Sequence, residues 1–181
     1  MSLKPEDVLH FWFEELSTKQ WFSRSDSTDA LIRERFALLH ARATACELYG
    51  WRTNAEGRLA EIIILDQFSR NLFRDDPRAF AQDAMALMLA QEAVALGLDL
   101  KLAPAQKAFL YLPYMHSESL VIHEEADRLY NQPGLEFNLD YERKHSAILK
   151  RFRRYPHRNS ILGRTSTPEE LAFLQEAGSS F

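Results

Sequence analysis

The sequence predicts an all-α protein, and three features carry the prediction. Apolar residues recur at helical spacing from end to end, and no segment alternates apolar with polar side chains as a half-buried strand does. Helix start and stop signals punctuate the chain at regular intervals. The connections between them are short, which favours seven to eight helices packed as antiparallel hairpins in layers.

Pro5, Glu6 and Asp7 suit the first turn of a helix running to about Leu16. Its Leu9, Phe11, Trp12, Phe13 and Leu16 are more apolar than one face requires, which predicts burial on two sides or an interface. The stretch SRSDSTD reads as a loop leading into a second helix, Ala30 to Leu48, closed by Gly50. A third, about Ala55 to Phe68, contains the run Ile62-Ile63-Ile64-Leu65 and should be central, because a helix apolar all round must be buried all round.

Asp76-Pro77 supplies an N-cap and a first helical residue for a fourth helix ending at Gly97. Pro104 begins another. Pro113 removes a backbone donor and should kink or divide it, leaving a second half from Tyr114 to about Tyr130. After the turn Gln132–Gly134, Asn138 is placed to cap a helix reaching Arg153. Thr167-Pro168-Glu169-Glu170 reads as a capping box for a last short helix.

Composition narrows the function classes. Hydrophobic residues at 46% and charged residues at 27% are ordinary for a soluble chain, and residues 1–181 read as a single all-helical domain. The N-terminal segment carries acids where a signal peptide needs an apolar core. Cys46 is the only cysteine, so no intrachain disulfide can form; a cytoplasmic protein with no membrane span is expected. The net charge of −4 disfavours general nucleic-acid binding. Yet Arg143 to Arg164 carries eight Lys or Arg and no acid, leaving 14 cations against 26 acids elsewhere. Such a body can attract a small anion locally while repelling polyanions.

Three polar segments stand out. In IIILDQFSRN, Asp66 and Arg70 share a face at i,i+4, with Gln67 and Asn71 repeating the spacing beside them. Two readings are open: a buried ion pair and amide set fixing a helix end, or a ligand contact through Arg70 held by Asp66. In YLPYMHSESLVIH, His116, Leu120 and His123 lie on one stripe, and His116 with Glu118 suits acid–base work as well as core structure. Glu142-x-x-His145 is a lone Glu-x-x-His where di-iron bundles need two, so metal is the lesser reading.

The third segment is basic. Arg151 and Arg154 could be a solvated helix face answering the helix dipole, or one wall of a site continued by His157, Arg158, Asn159 and Arg164. No Gly-rich nucleotide loop occurs and no cofactor is implied, so an anion site here would be built from arginines.

LDQFSRN (65–71), AFAQD (79–83), YLPYMHSE (111–118), RFRRYPHRN (151–159) and LGRTSTPEE (162–170) together closely resemble a bacterial family, domain of unknown function 924. The resemblance spans nearly the whole chain in order. It implies an all-α fold of the tetratricopeptide-repeat-like superfamily and carries no established activity. The family reads Arg-Phe-Gly-Arg-Phe-Pro-His-Arg-Asn where this chain has Arg153 for the glycine and Tyr155 for the phenylalanine. His123 stands where the family has glutamine.

The functional expectation is a site for a small anionic molecule, bearing phosphate or carboxylate and open to catalysis. His116, Glu118 and His157 are its candidate acid–base groups. Asp66, Gln67, Arg70, Asn71, Arg151, Arg154, Arg158, Asn159 and Arg164 are its candidate ligand contacts. The alternative is a helical scaffold for a protein or peptide partner or a homodimer, using the aromatic-rich FWFEEL and QWF segments. RNA binding through the basic segment ranks third, against an acidic body.

Overall fold

The computed structural model describes residues 3–179 and, among these, contains helices and turns but no strand. Lys4 N–H donates to Asp7 Oδ2 at 2.7 Å and opens α1 (Pro5–His10). The helix continues as a π-helical turn, Phe11–Glu15, in which the consecutive Phe11 and Trp12 both face the core. A short α2 (Thr18–Phe22) follows.

The next helix, α3 (Asp26–Thr44), begins four residues before the expected Ala30. Ser25 is its N-cap, with Oγ accepting from Thr28 N–H, and Asp26 and Asp29 fill the first turn; the polar stretch read as a loop is this helix start. The helix stops where Cys46 takes a positive φ of 58°, ahead of Gly50.

Asn54 caps α4 (Ala55–Ile63), which passes into a second π-helical turn, Ile64–Phe68, and then into α5 (Ser69–Leu72). Every residue from Leu59 to Phe68 is buried. This central rod is packed by α1, α3, α6 (Asp83–Ala95) and α7 (Pro104–His116), as its apolar circumference requires.

Asp76-Pro77 opens only one 3-10 turn, Pro77–Ala79, and the long helix begins at Asp83. Arg70 ties that carboxylate with two bonds in the first turn of α6. Pro113 does not divide its helix. It lies in the last turn of α7, where the missing N–H costs a single intrahelical bond, and the chain breaks instead at extended Ser117. Then α8 (Leu120–Tyr130) packs between α7 and α9 (Glu136–Phe152). This last helix starts before Asn138, its entry fixed by the Glu136 carboxylate accepting from Gly134 N–H.

The capping box of α10 (Pro168–Phe173) forms as expected: Glu170 N–H donates to Thr167 Oγ1 and Thr167 N–H to Glu170 Oε2. From α6 to α9 consecutive helices pair as hairpins, whereas in the N-terminal half α1 and α3 pack on the central rod, all around one large core. A smaller cluster of Ile148, Leu149, Tyr155 and Phe173 holds the C-terminal segment. No helix among the described residues is long and apolar enough to cross a membrane.

Candidate functional site

The π-helical turn brings Asp66 to the end of α7. Asp66 is 1% exposed and almost saturated with donors. Its Oδ1 accepts from His116 Nδ1 at 2.7 Å and lies 3.2 Å from Arg70 Nη1; its Oδ2 accepts from Gln67 Nε2 at 2.5 Å. Burial alone would raise this carboxyl's pKa. The charge of Arg70 and the hydrogen bonds from His116 and Gln67 outweigh it and hold Asp66 well below the usual carboxylate range.

With Asp66 ionised, His116 must donate from Nδ1, and the basic nitrogen of the neutral ring is Nε2. Burial and the Arg70 charge push the His116 pKa down, so the ring is a neutral base near pH 7.

Arg70 bridges outward. It donates to the Asp66 backbone oxygen at 2.7 Å and forms a fork with Asp83, Nη1 to Oδ1 at 2.9 Å and Nη2 to Oδ2 at 3.0 Å. Arg158 approaches the same Asp83 Oδ2 with a single bond of 3.2 Å. Its guanidinium lies 4.6 Å from the Phe80 ring centre and 4.8 Å from that of Tyr155, so two aromatic rings hold it. Arg158 is 7% exposed, and its buried Nε has no hydrogen-bond acceptor among the described residues. Arg158, His116, Asp83 and Glu118 line the polar part of a cleft of about 380 Å³; Phe80, Leu87, Pro113 and Leu162 line its apolar part.

The far wall is a strap made by residues 155–166. Tyr155 N–H donates to Glu118 Oε1 at 2.7 Å, and Arg164 forks onto both Glu118 oxygens at 2.6 and 2.9 Å. Arg164 can return to Glu118 because Gly163, at φ +65°, reverses the chain in a conformation that disfavours other residues. Asn159, fully buried, accepts from Arg164 Nε and donates to Ser166 Oγ. Burial opposes ionisation of Glu118, but the Arg164 fork and the Tyr155 amide keep its pKa below the ordinary value.

The fold therefore gathers Asp66, Gln67, Arg70, His116, Glu118, Arg158, Asn159 and Arg164 into one connected network. Other candidates sit apart. Asn71 donates to Asp29 beside Arg74, on the α3 side. Arg151 pairs with Glu169, and Arg154 forks onto Glu170, so both fasten α9 to α10. His157 is not on the cleft wall and packs on Tyr155, with ring centres 5.5 Å apart; burial and the Arg158 charge lower its pKa to about 4. Asp83, Phe80 and Tyr155 were not among the candidates read from the sequence. The signals available for them were the segments AFAQD (79–83) and RFRRYPHRN (151–159), in which they lie, and two arginines, Arg70 and Arg158, that needed a counter-charge.

A second histidine–carboxylate pair lies under the strap. His123 Nδ1 is 2.5 Å from Glu142 Oε1, and its Nε2 donates to Ser117 O at 2.8 Å. Tyr155 O–H donates to Met115 O at 2.6 Å. Glu142 is fully buried and its Oε2 has no partner among the described residues, so burial raises its pKa despite His123. His145, one turn along α9, donates from Nδ1 to Tyr141 O. Glu142 and His145 are thus each engaged with different partners, and among the described residues no group of three or more His, Cys, Asp or Glu side chains is placed to hold a metal ion.

A buried serine–histidine contact also occurs, His40 Nε2 to Ser69 Oγ at 2.8 Å, but Ser69 donates its own proton to Leu65 O. His40 must then be the donor to Ser69. That is the reverse of what activating a nucleophile requires.

Comparison with known proteins agrees with this architecture. A solved structure of a protein of unknown function from Agrobacterium tumefaciens is 37% identical, superposes with a TM-score of 0.90, and covers 96% of this chain and 97% of its own. No curated protein matches. The family model for bacterial proteins of unknown function, DUF924, matches residues 8–178, and the chain belongs to that family.

Proposed function

We propose that the cleft binds a small anionic molecule, carboxylate- or phosphate-bearing, and that His116 serves as a base toward it. The observation that carries the reading is Arg158. It is almost wholly buried, fixed between two aromatic rings, joined by one long bond to an already paired Asp83, and set beside a cleft. A charged guanidinium with unmet donors is costly to bury, and an arriving anion would satisfy it. Asp66 fixes the His116 tautomer, which supports proton transfer at Nε2. Glu118 acts in this reading as the anchor of the strap.

A thermal-shift screen with phosphorylated and carboxylated metabolites tests it. A true ligand at about 100 times its Kd should stabilise the fold by about 2.7 kcal/mol. Arg158→Ala should abolish the shift, and His116→Ala should keep binding but lose any turnover. No shift with any anion, or a shift unchanged in folded Arg158→Ala protein, defeats the reading.

One observation favours a second reading, a tetratricopeptide-repeat-like scaffold for a protein partner or a second copy. Phe22 is 63% exposed at the edge of an aromatic group with Trp21 and Phe109. Sedimentation velocity of wild type against Phe22→Ser would reveal self-association through it. Both readings place the protein in the cytoplasm, supported by its single exposed thiol, Cys46.

A further inference from the structure

Resting on that reading of the cleft, we infer that its ligand is a monoanion with an apolar body, of the class of a medium-chain monocarboxylate, and not a polyphosphate or polycarboxylate. The charge inventory carries the first half. Asp83 is matched by Arg70 through a two-bond fork, and Glu118 by Arg164 through another. Asp66 is served by the same Arg70 and by neutral His116, so three carboxylates stand against three guanidiniums and the network holds no spare positive charge for a polyanion. Arg158 is the cation left with donor capacity, since its contact with Asp83 is one bond to an oxygen Arg70 already uses. One guanidinium edge offers hydrogen bonds to one anionic group. A second negative charge on the ligand would have no cation to meet and would face the carboxylates of Asp83 and Glu118 on the same cleft wall.

The aromatic rings over Arg158 sharpen this. Phe80 and Tyr155 occupy positions over the guanidinium, which leaves its edge for hydrogen bonding. An edge-on fork suits a planar carboxylate.

The remaining wall carries the second half. Pro77, Phe80, Ala84, Leu87, Pro113 and Leu162 offer no hydrogen bond from their side chains and continue from the polar end. A cleft of about 380 Å³ is at the small end of the usual range for small-molecule sites, about 300–1,000 Å³, and has room for a short hydrocarbon chain. Water left against that wall is released when the body of the ligand covers it.

Isothermal titration of the full chain with acetate, butanoate, hexanoate, hexanamide and pyrophosphate tests the inference. Affinity should rise about fourfold per methylene from acetate to hexanoate. Hexanamide, with the same body and no charge, should bind at least about tenfold more weakly, as expected when a charged hydrogen bond is lost. Pyrophosphate should not displace hexanoate. Arg158→Gln should abolish hexanoate binding. Ala84→Phe, which touches no ion pair and fills the apolar wall, should reduce hexanoate to the level of acetate while far-UV circular dichroism stays unchanged. A flat chain-length series, or pyrophosphate binding more tightly than hexanoate in an Arg158-dependent way, overturns the monoanion class and leaves the anion site standing. Failure of every probe to bind, or binding indifferent to Arg158→Gln in folded protein, overturns the anion site itself.

Discussion

His116–Asp66 and His123–Glu142 are the same chemical pair, placed at the end of one helix and the start of the next. Each sets Nδ1 against a carboxylate oxygen, at 2.7 and 2.5 Å. They differ in what lies beyond that bond. Asp66 has Arg70 and Gln67 as further partners and is held ionised, whereas Glu142 has no partner on its second oxygen and is pushed toward its neutral form. Nε2 of His123 is committed to Ser117 O, but His116 sits on the wall of a cleft. A histidine–carboxylate contact therefore says little alone. The carboxylate's other partners set the proton count, and the second ring nitrogen sets whether the pair can act on anything.

Isosteric amide substitutions should break the likeness most strongly. Asp66→Asn removes a buried charge that Arg70 and His116 face and turns an acceptor into a donor. It should cost about 3 kcal/mol or more in urea unfolding at pH 7. Glu142→Gln keeps the shape, and the new amide can donate to His123 Nδ1 while His123 continues to donate to Ser117 O. Its cost should stay within about 1 kcal/mol. Equal costs would mean that both carboxylates are ionised and that the distinction drawn from their surroundings is false.

The two pairs should also answer pH with opposite signs. Asp66 has its folded pKa lowered, so its contribution is present above the unfolded value of about 3.9 and is lost as pH falls through the lower folded value. The penalty of Asp66→Asn relative to wild type should shrink below about pH 4. Glu142 has its folded pKa raised, so its proton favours the fold at low pH and wild type loses stability as pH rises from the unfolded value of about 4.3. Glu142→Gln should therefore gain on wild type over that rise. Neither difference can exceed about 1.4 kcal/mol per pH unit, the slope of one proton. Thermal or urea midpoints from pH 3 to 7 read both.

How far the sequence discloses this site follows from the range of each interaction. Asp66 and Arg70 are four residues apart, and helical spacing alone places them together. The capping box at Thr167–Glu170 is equally local. The bond from Arg70 to Asp83 spans a loop, and that from Arg158 to Asp83 joins residues 75 positions apart; no periodicity encodes either. The two π-helical turns escape for a different reason. Each is one wide turn set within a longer helix, and the apolar residues that fill it, such as Phe11 and Trp12 or Ile64 and Leu65, fit an ordinary helical turn equally well. Arg151 and Arg154 show the limit of composition. Their basic run looked unmatched because Glu169 and Glu170 come later in the chain.

Arg153 offers the smallest test and the one that separates the two regions mechanically. It ends α9 in the left-handed conformation, φ 61° and ψ 10°, with its N–H donating to Leu149 O. A side chain there is strained by contact between Cβ and the backbone, and glycine is the residue that relieves it; the resemblance noted above places glycine at this position. Arg153→Gly should raise stability by about 0.5–1 kcal/mol, the relief being partly offset by the greater freedom of glycine in the unfolded chain. The gain should appear in the urea midpoint with hexanoate affinity unaltered, because Tyr155 and Arg158 are held by Met115, Glu118 and Asp83 and not by the turn that precedes them. If relaxing Arg153 changes ligand affinity, the strap is positioned from the helix end, and the cleft and the sealed His123–Glu142 pair are one mechanical unit instead of two.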